Sequence, residues 1–367
     1  VTTDGTRPLF DRYPELRASI PHVDLGALPT PVQHAQELGE RLGVGGLYIK
    51  RDDLSGDVYG GNKVRKLEFL FGDALARGAR EVLTFGAAGS NHALATAVYA
   101  RELGLGAHEV LMPQPNARYV GRNLLAGAGA GAQLHYFEDR KVAMSAAETI
   151  AGEDTYVIPF GGTTALSAAG DADAGLELAK QVEAGELPVP DVVYVAFGSM
   201  GTAAGVALGL ALAGIEAEVR AVRVVPALLS PVSQWEALVA DALTLLAAGG
   251  ASIPDGALDR VRIVEGYLGE GYALFTPEGV EAIELVREHA GVTLEGTYTG
   301  KTFAALAADA RAGELAGRNV VFWNTYNSHD LSPLSAGIDY RELPEGLHAY
   351  FETAVQPLDA VLAELGA

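Results

Sequence analysis

Short β-branched runs keep alternating with alanine-rich stretches of helical length. "GLYIK" precedes "KVRKLEFLFGDALARG", "EVLTFGA" precedes "NHALATAVYARELG", and "DVVYVAFG" precedes "GTAAGVALGLALAG". Strands that are apolar along their whole length are buried on both faces, as in a parallel sheet with helices above and below it. The predicted fold is therefore α/β, with open, twisted, mostly parallel sheets covered by helices on both faces. Ligands of such folds sit beyond the carboxyl ends of the strands, where loops lead into helices. The 367 residues, 49% of them hydrophobic, suffice for one large domain or for two that share a cleft.

Composition removes several classes of function. With 26 basic against 47 acidic residues the formal charge is −21, so long-range attraction to nucleic acid or anionic lipid is not expected. The apolar stretch "VALGLALAGIEAEV" is interrupted by Glu216 and Glu218 before it could span a bilayer. The absence of cysteine excludes disulfides, thiolate zinc sites and cysteine nucleophiles. The polar opening "VTTDGTRPLFDRYPEL" lacks the apolar centre of a secretion signal, and a cytoplasmic location is expected. "AGELPVPD", residues 184–191, is the best linker candidate.

The chemistry concentrates in loops after strands. In "VVYVAFGSMGTAAGVALG", Gly198, Ser199, Met200, Gly201 and Thr202 join a buried strand to a small-residue helix, an arrangement suited to an anion because free amides and the helix dipole point at it. Such a loop also serves as a plain tight turn. It lacks a P-loop lysine and the glycine spacing of a dinucleotide fingerprint. In "YGGNKVRKLEF", Lys63 follows Gly60, Gly61 and Asn62, where an amine shielded from water is poised to attack a carbonyl. Taken alone, a lysine there is also an ordinary exposed helix start. Lys66 lies one turn later on the same side. "GAAGSNHALATA" sets Ser90, Asn91 and His92 at a helix start, suited to a carboxylate or simply to capping. No partner at metal-ligand spacing accompanies His92, and no metal is expected.

Together these loops resemble the fold type II pyridoxal phosphate enzymes, in particular the branch of D-cysteine desulfhydrase and 1-aminocyclopropane-1-carboxylate deaminase. "IKRDDLSGDVYGGNKVRKLEFL" resembles the cofactor-lysine segment, "GSNHALATAVYARELGL" the substrate-carboxylate loop, and "GEGYALFTPEGVEAIEL" and "GTYTGKTFAAL" two tyrosine segments. The resemblance implies two domains with the active site between them, residues 1–65 plus 176–367 forming the larger and 66–175 the smaller. It implies that Lys63 holds pyridoxal phosphate covalently and moves the α-proton. Lys66 and the loop from Gly198 to Thr202 would bind the phosphate, and Asn91 the phenolic oxygen. Ser90, Asn91 and His92 would receive the substrate carboxylate, with Tyr272 and Tyr298 facing the substrate. A homodimer is also implied.

The deaminase branch usually has glutamate after the loop tyrosine and glutamine after the Ser-Asn pair, where this chain has Thr299 and His92. Both resemble the desulfhydrase side. Thr325, in "FWNTYNSHD", is the expected neutral partner of the pyridine nitrogen, which suits elimination of a good β-leaving group. The same loop departs from the family, because Tyr326 and Asn327 stand where two glycines are typical. The expected activity is β-elimination from a small amino acid such as D-cysteine, giving pyruvate, ammonia and sulfide. Cyclopropane deamination, a specialised β-elimination or β-replacement, and a catalytically inactive cofactor-binding protein are the alternatives. Retention of Lys63, Tyr272 and Tyr298 argues against the last.

Overall fold

In the larger of two sheets, apolar residues alternate between two cores. A computed structural model describes residues 7–364; the first six residues of the polar N-terminal segment and the last three of the chain lie outside the described residues. The strands are β1 (Val32–His34), β2 (Gly46–Lys50), β3 (Glu81–Ala87), β4 (Gly106–Met112), β5 (Gln133–Tyr136), β6 (Thr155–Ile158), β7 (Val192–Phe197), β8 (Glu218–Arg223), β9 (Val261–Val264) and β10 (Asn319–Trp323). The larger sheet has the order β1-β2-β10-β7-β8-β9 and is parallel except for β1. The smaller is wholly parallel in the order β5-β4-β3-β6. Successive side chains of a strand point to opposite faces. Accordingly Val193, Val195, Phe197, Val321 and Trp323 enter one core, while Val192, Tyr194, Val320 and Phe322 enter the other. The mostly parallel α/β architecture is thus the one the alternation predicts.

The helix Gly201–Ala213 is buried from Gly201 to Leu212. Its glycines let it press on the helix Ala165–Glu183: a Cβ on Gly209 would stand 2.2 Å from the Ala172 carbonyl oxygen, and one on Gly205 2.3 Å from Asp171 Cβ. That close packing supports the strand-to-helix loop at Gly198–Thr202. Residues 184–191 connect the helix Ala165–Glu183 to β7. Among the described residues, no helix is long and apolar enough to cross a membrane.

Candidate active site

The carboxyl ends of β3, β7 and β10 open onto one cleft of about 380 Å³, within the usual range of small-molecule sites. Of the residues expected to serve catalysis, cofactor or substrate, all but Lys66 and Gly201 line it; Gly61, in the turn before Lys63, does not.

Lys63 begins the helix Lys63–Ala76. The turn before it needs glycine, since Gly61 has φ +92° and a Cβ there would meet the carbonyl oxygens of Thr325 and Tyr326 at 2.9 and 3.0 Å. The lysine corner and the "NTYNSHD" loop are therefore in backbone contact. Asn327 Oδ1 accepts from Gly60 N at 2.7 Å, and Ser328 Oγ donates to Asp53 Oδ2 at 2.6 Å. Asp330, by contrast, is exposed and caps Ser332.

Arg65, which no sequence pattern assigns a role, anchors this corner. Its guanidinium donates to Asp52, Glu177 and Thr30. Lys50 Nζ also meets Glu177, at 2.5 Å, and Trp323 Nε1 donates to Asp52 Oδ2 at 2.7 Å. Buried cations and carboxylates thus neutralise one another directly beneath the helix that carries Lys63.

Lys63 Nζ donates to Asn62 Oδ1 at 2.8 Å, and Asn62 Nδ2 donates to Thr202 Oγ1 at 2.7 Å. The side chain is open to the cleft but otherwise enclosed. Burial, reinforced by the charge of Lys66, pushes its amine down to about 7. Lys66 stands behind the glycine loop, 3.3 Å from both Gly161 O and Thr163 Oγ1 and 3.9 Å from Asp171. Its ammonium would be 2.7 Å from a Cβ on Gly201. Thr163 Oγ1 in turn donates to Ser199 Oγ at 2.8 Å. Met200 adopts φ +70°, a left-handed conformation that opens the helix start.

Ser90 Oγ caps its helix by accepting from Ala93 N, and Asn91 Oδ1 accepts from Asn123 Nδ2 at 3.0 Å. His92 is buried, with Nε2 3.0 Å from Thr84 Oγ1. Thr84 gives its own proton to Ile158 O, so His92 donates from Nε2 and its Nδ1 is an acceptor without a partner. Burial, with Lys63 and Lys66 nearby, holds this imidazole well below its usual range, hence neutral.

Tyr272 and Tyr298 share a hydrogen bond of 2.7 Å between their hydroxyls, and burial raises both above the ordinary phenol range. Each remains protonated near neutrality. Glu295, which sequence reasoning missed, lines the cleft and accepts from the backbone amides of Thr297, Tyr298 and Thr299 at 2.7–2.9 Å. It fixes the loop that presents Tyr298. Its only sequence signal was an acidic residue just ahead of a helix start. Thr325 faces the cleft, while its carbonyl accepts from Asn62 N at 3.3 Å. Tyr326 accepts from Arg122 Nη2 at 2.6 Å through its hydroxyl.

A buried near-neutral amine and a cation-backed glycine loop suit an aldehyde cofactor bearing a phosphate. A family model described as "Pyridoxal-phosphate dependent enzyme" matches residues 23–325. The chain belongs to that family. This pyridoxal phosphate enzyme is 36% identical to the nocardicin C-9' epimerase of Nocardia uniformis subsp. tsuyamanensis, over 91% of this chain and 99% of that protein. It is 36% identical to a D-cysteine desulfhydrase of Klebsiella pneumoniae, over 78% of this chain and 87% of the relative. Among solved structures, an ACC deaminase homologue superposes with a TM-score of 0.74 at 32% identity, covering 94% of this chain and all of that one. The fold type II assignment and the cofactor, pyridoxal phosphate, follow.

Proposed function

We propose that this pyridoxal phosphate enzyme catalyses β-elimination from a D-cysteine-like amino acid, giving pyruvate, ammonia and a thiol or sulfide. The observation that carries the reading is the pairing, in one cleft, of a lysine amine at about 7 with two hydrogen-bonded phenols that stay protonated. When bound, the cofactor withdraws electrons from the substrate α-carbon and makes its hydrogen acidic. Lys63 would hold it, and the Lys63 amine, when free, takes that proton; Asn62 and Thr202 set the direction of Nζ. Ser199 and the amides of the glycine loop would take the phosphate, with Lys66 supplying positive field from behind. The free amide of Asn91 would meet the phenolic oxygen, and the helix start at Ser90 to His92 would meet the substrate carboxylate. The Tyr272–Tyr298 pair donates a proton to the departing sulfur.

Thr299 and Thr325, both neutral, favour elimination over ring opening, and the cleft carboxylate Glu295 is already taken by amides. The reading carries with it a cytoplasmic homodimer and a cleft between two domains divided at residues 66–175. Purified holoenzyme offered a panel of D- and L-amino acids and 1-aminocyclopropane-1-carboxylate tests it. Pyruvate with sulfide from D-cysteine is expected; 2-oxobutyrate from the cyclopropane overturns it. A second reading, inversion at the α-carbon, is favoured by the match along nearly the whole length of an epimerase. It predicts α-deuteration with inversion in heavy water and no oxo acid.

A further inference from the structure

We propose that the cleft mouth is a subsite for the substituent of an S-substituted cysteine, an aromatic group ending in a carboxylate. This rests on the elimination reading and names its substrate class. Phe85, at the end of β3, stacks on Phe160 with ring centroids 5.1 Å apart, and the Arg140 guanidinium lies over Phe160 at 4.8 Å. All three line the cleft that holds Lys63, together with Met112 and Pro113. These side chains make an aromatic, apolar wall, and Arg140, exposed to solvent, sets a cation at its rim.

Arg140 has no carboxylate within ion-pair distance among the described residues. Its neighbour Asp139 is engaged instead in capping the helix Arg140–Ile150, accepting from Lys141 N and Val142 N at 2.8 and 3.0 Å. The wall is held in place, because Ala143 and Ala147 of that helix pack into the same cluster as Phe85 and Phe160. D-Cysteine is too short to use it. A thioether substituent extends from the reacting carbon toward the cleft mouth, and a terminal carboxylate supplies the missing counter-charge.

The reaction balances. The C–S bond of R–S–CH2–CH(NH3+)–COO− breaks, the α-proton leaves with Lys63, and the sulfur takes a proton. With one water consumed, the products are R–SH, pyruvate and ammonium, and nothing is oxidised or reduced.

The test uses holoenzyme and two ligands that cannot eliminate, carba analogues of S-phenyl-D-cysteine and S-(para-carboxyphenyl)-D-cysteine in which methylene replaces sulfur. By titration calorimetry the carboxylated analogue binds about fivefold more tightly, the range of a partly exposed ion pair. Arg140→Gln brings the ratio to about one, and Phe160→Leu weakens both ligands. A ratio below about two in the wild type, or one that Arg140→Gln preserves, overturns the subsite. S-(para-carboxyphenyl)-D-cysteine is then assayed for thiol and pyruvate. Binding discrimination without either product overturns elimination and leaves the subsite standing; products without discrimination do the reverse.

Discussion

Glu177→Gln probes the charge network beneath Lys63. The Glu177 carboxylate receives Lys50 at 2.5 Å, Arg65 at 2.9 and 3.1 Å, and the Thr30 amide at 2.9 Å. Burial alone would push its pKa up, but Arg65 and Lys50 outweigh that and hold it at about 2, against an ordinary 4.5. That gap corresponds to about 3 kcal/mol of folding stability near neutrality. Breaking a buried pair typically costs about 3–5 kcal/mol, so the two routes agree. Because the folded pKa is depressed, the stabilisation is complete above the unfolded value of 4.5 and is lost as pH falls toward 2. Urea unfolding can be followed by the fluorescence of Trp323, whose indole donates to Asp52 in the same network. The variant is expected to be less stable by about 3 kcal/mol at neutral pH, with the gap narrowing by about 2 kcal/mol near pH 3. Equal stability at neutral pH, or a gap that ignores pH, would show that Lys50 and Arg65 do not stabilise the fold through the Glu177 charge.

Three further outcomes are expected. The rate at which apoenzyme captures pyridoxal phosphate should rise through a limb near pH 7 and level off above it, because the Lys63 amine reacts as free base. Lys66→Met, which removes a repelling charge, should move that limb upward; an unmoved limb would mean that Lys66 does not act on Lys63. Tyr298→Phe should lower kcat by about 10²–10⁴ with cofactor content unchanged, as expected for loss of a general acid, and a loss under tenfold would contradict that role. Asn327→Ala leaves the Gly60 amide without its acceptor and should cost about 1–3 kcal/mol, read by calorimetry as a lower unfolding midpoint; an unchanged midpoint would count against the clamp.

What the sequence disclosed and what it hid divide along physical lines. Lys63, Ser90, Asn91 and the Gly198 to Thr202 loop are local signals, each a short run of small or polar residues between a strand and a helix. They were legible because glycine and helix-start chemistry act within a few residues. Arg65 could not be assigned, since its partners Asp52 and Glu177 are 13 and 112 positions away and meet it only after the helices pack. Glu295 was missed for a different reason: its carboxylate binds amides of its own loop, and backbone partners leave no trace in side-chain pattern. The alternation of strands and helices announced parallel sheets, yet the insertion of β10 between β2 and β7 depends on contacts across some 270 residues. Phe160 and Arg140 likewise meet only in the folded chain, where a loop after β6 returns to the end of β3.

If Lys63 carries the cofactor, its Nζ is bonded to the pyridoxal carbon in the holoenzyme. Borohydride reduction of the holoenzyme, followed by peptide mass spectrometry, measures this directly. One reduced pyridoxal phosphate is expected on the peptide containing Lys63, localised to that residue by fragmentation and lost in Lys63→Ala. The same adduct on Lys50, Lys66 or Lys301, or one that persists in Lys63→Ala, would contradict it.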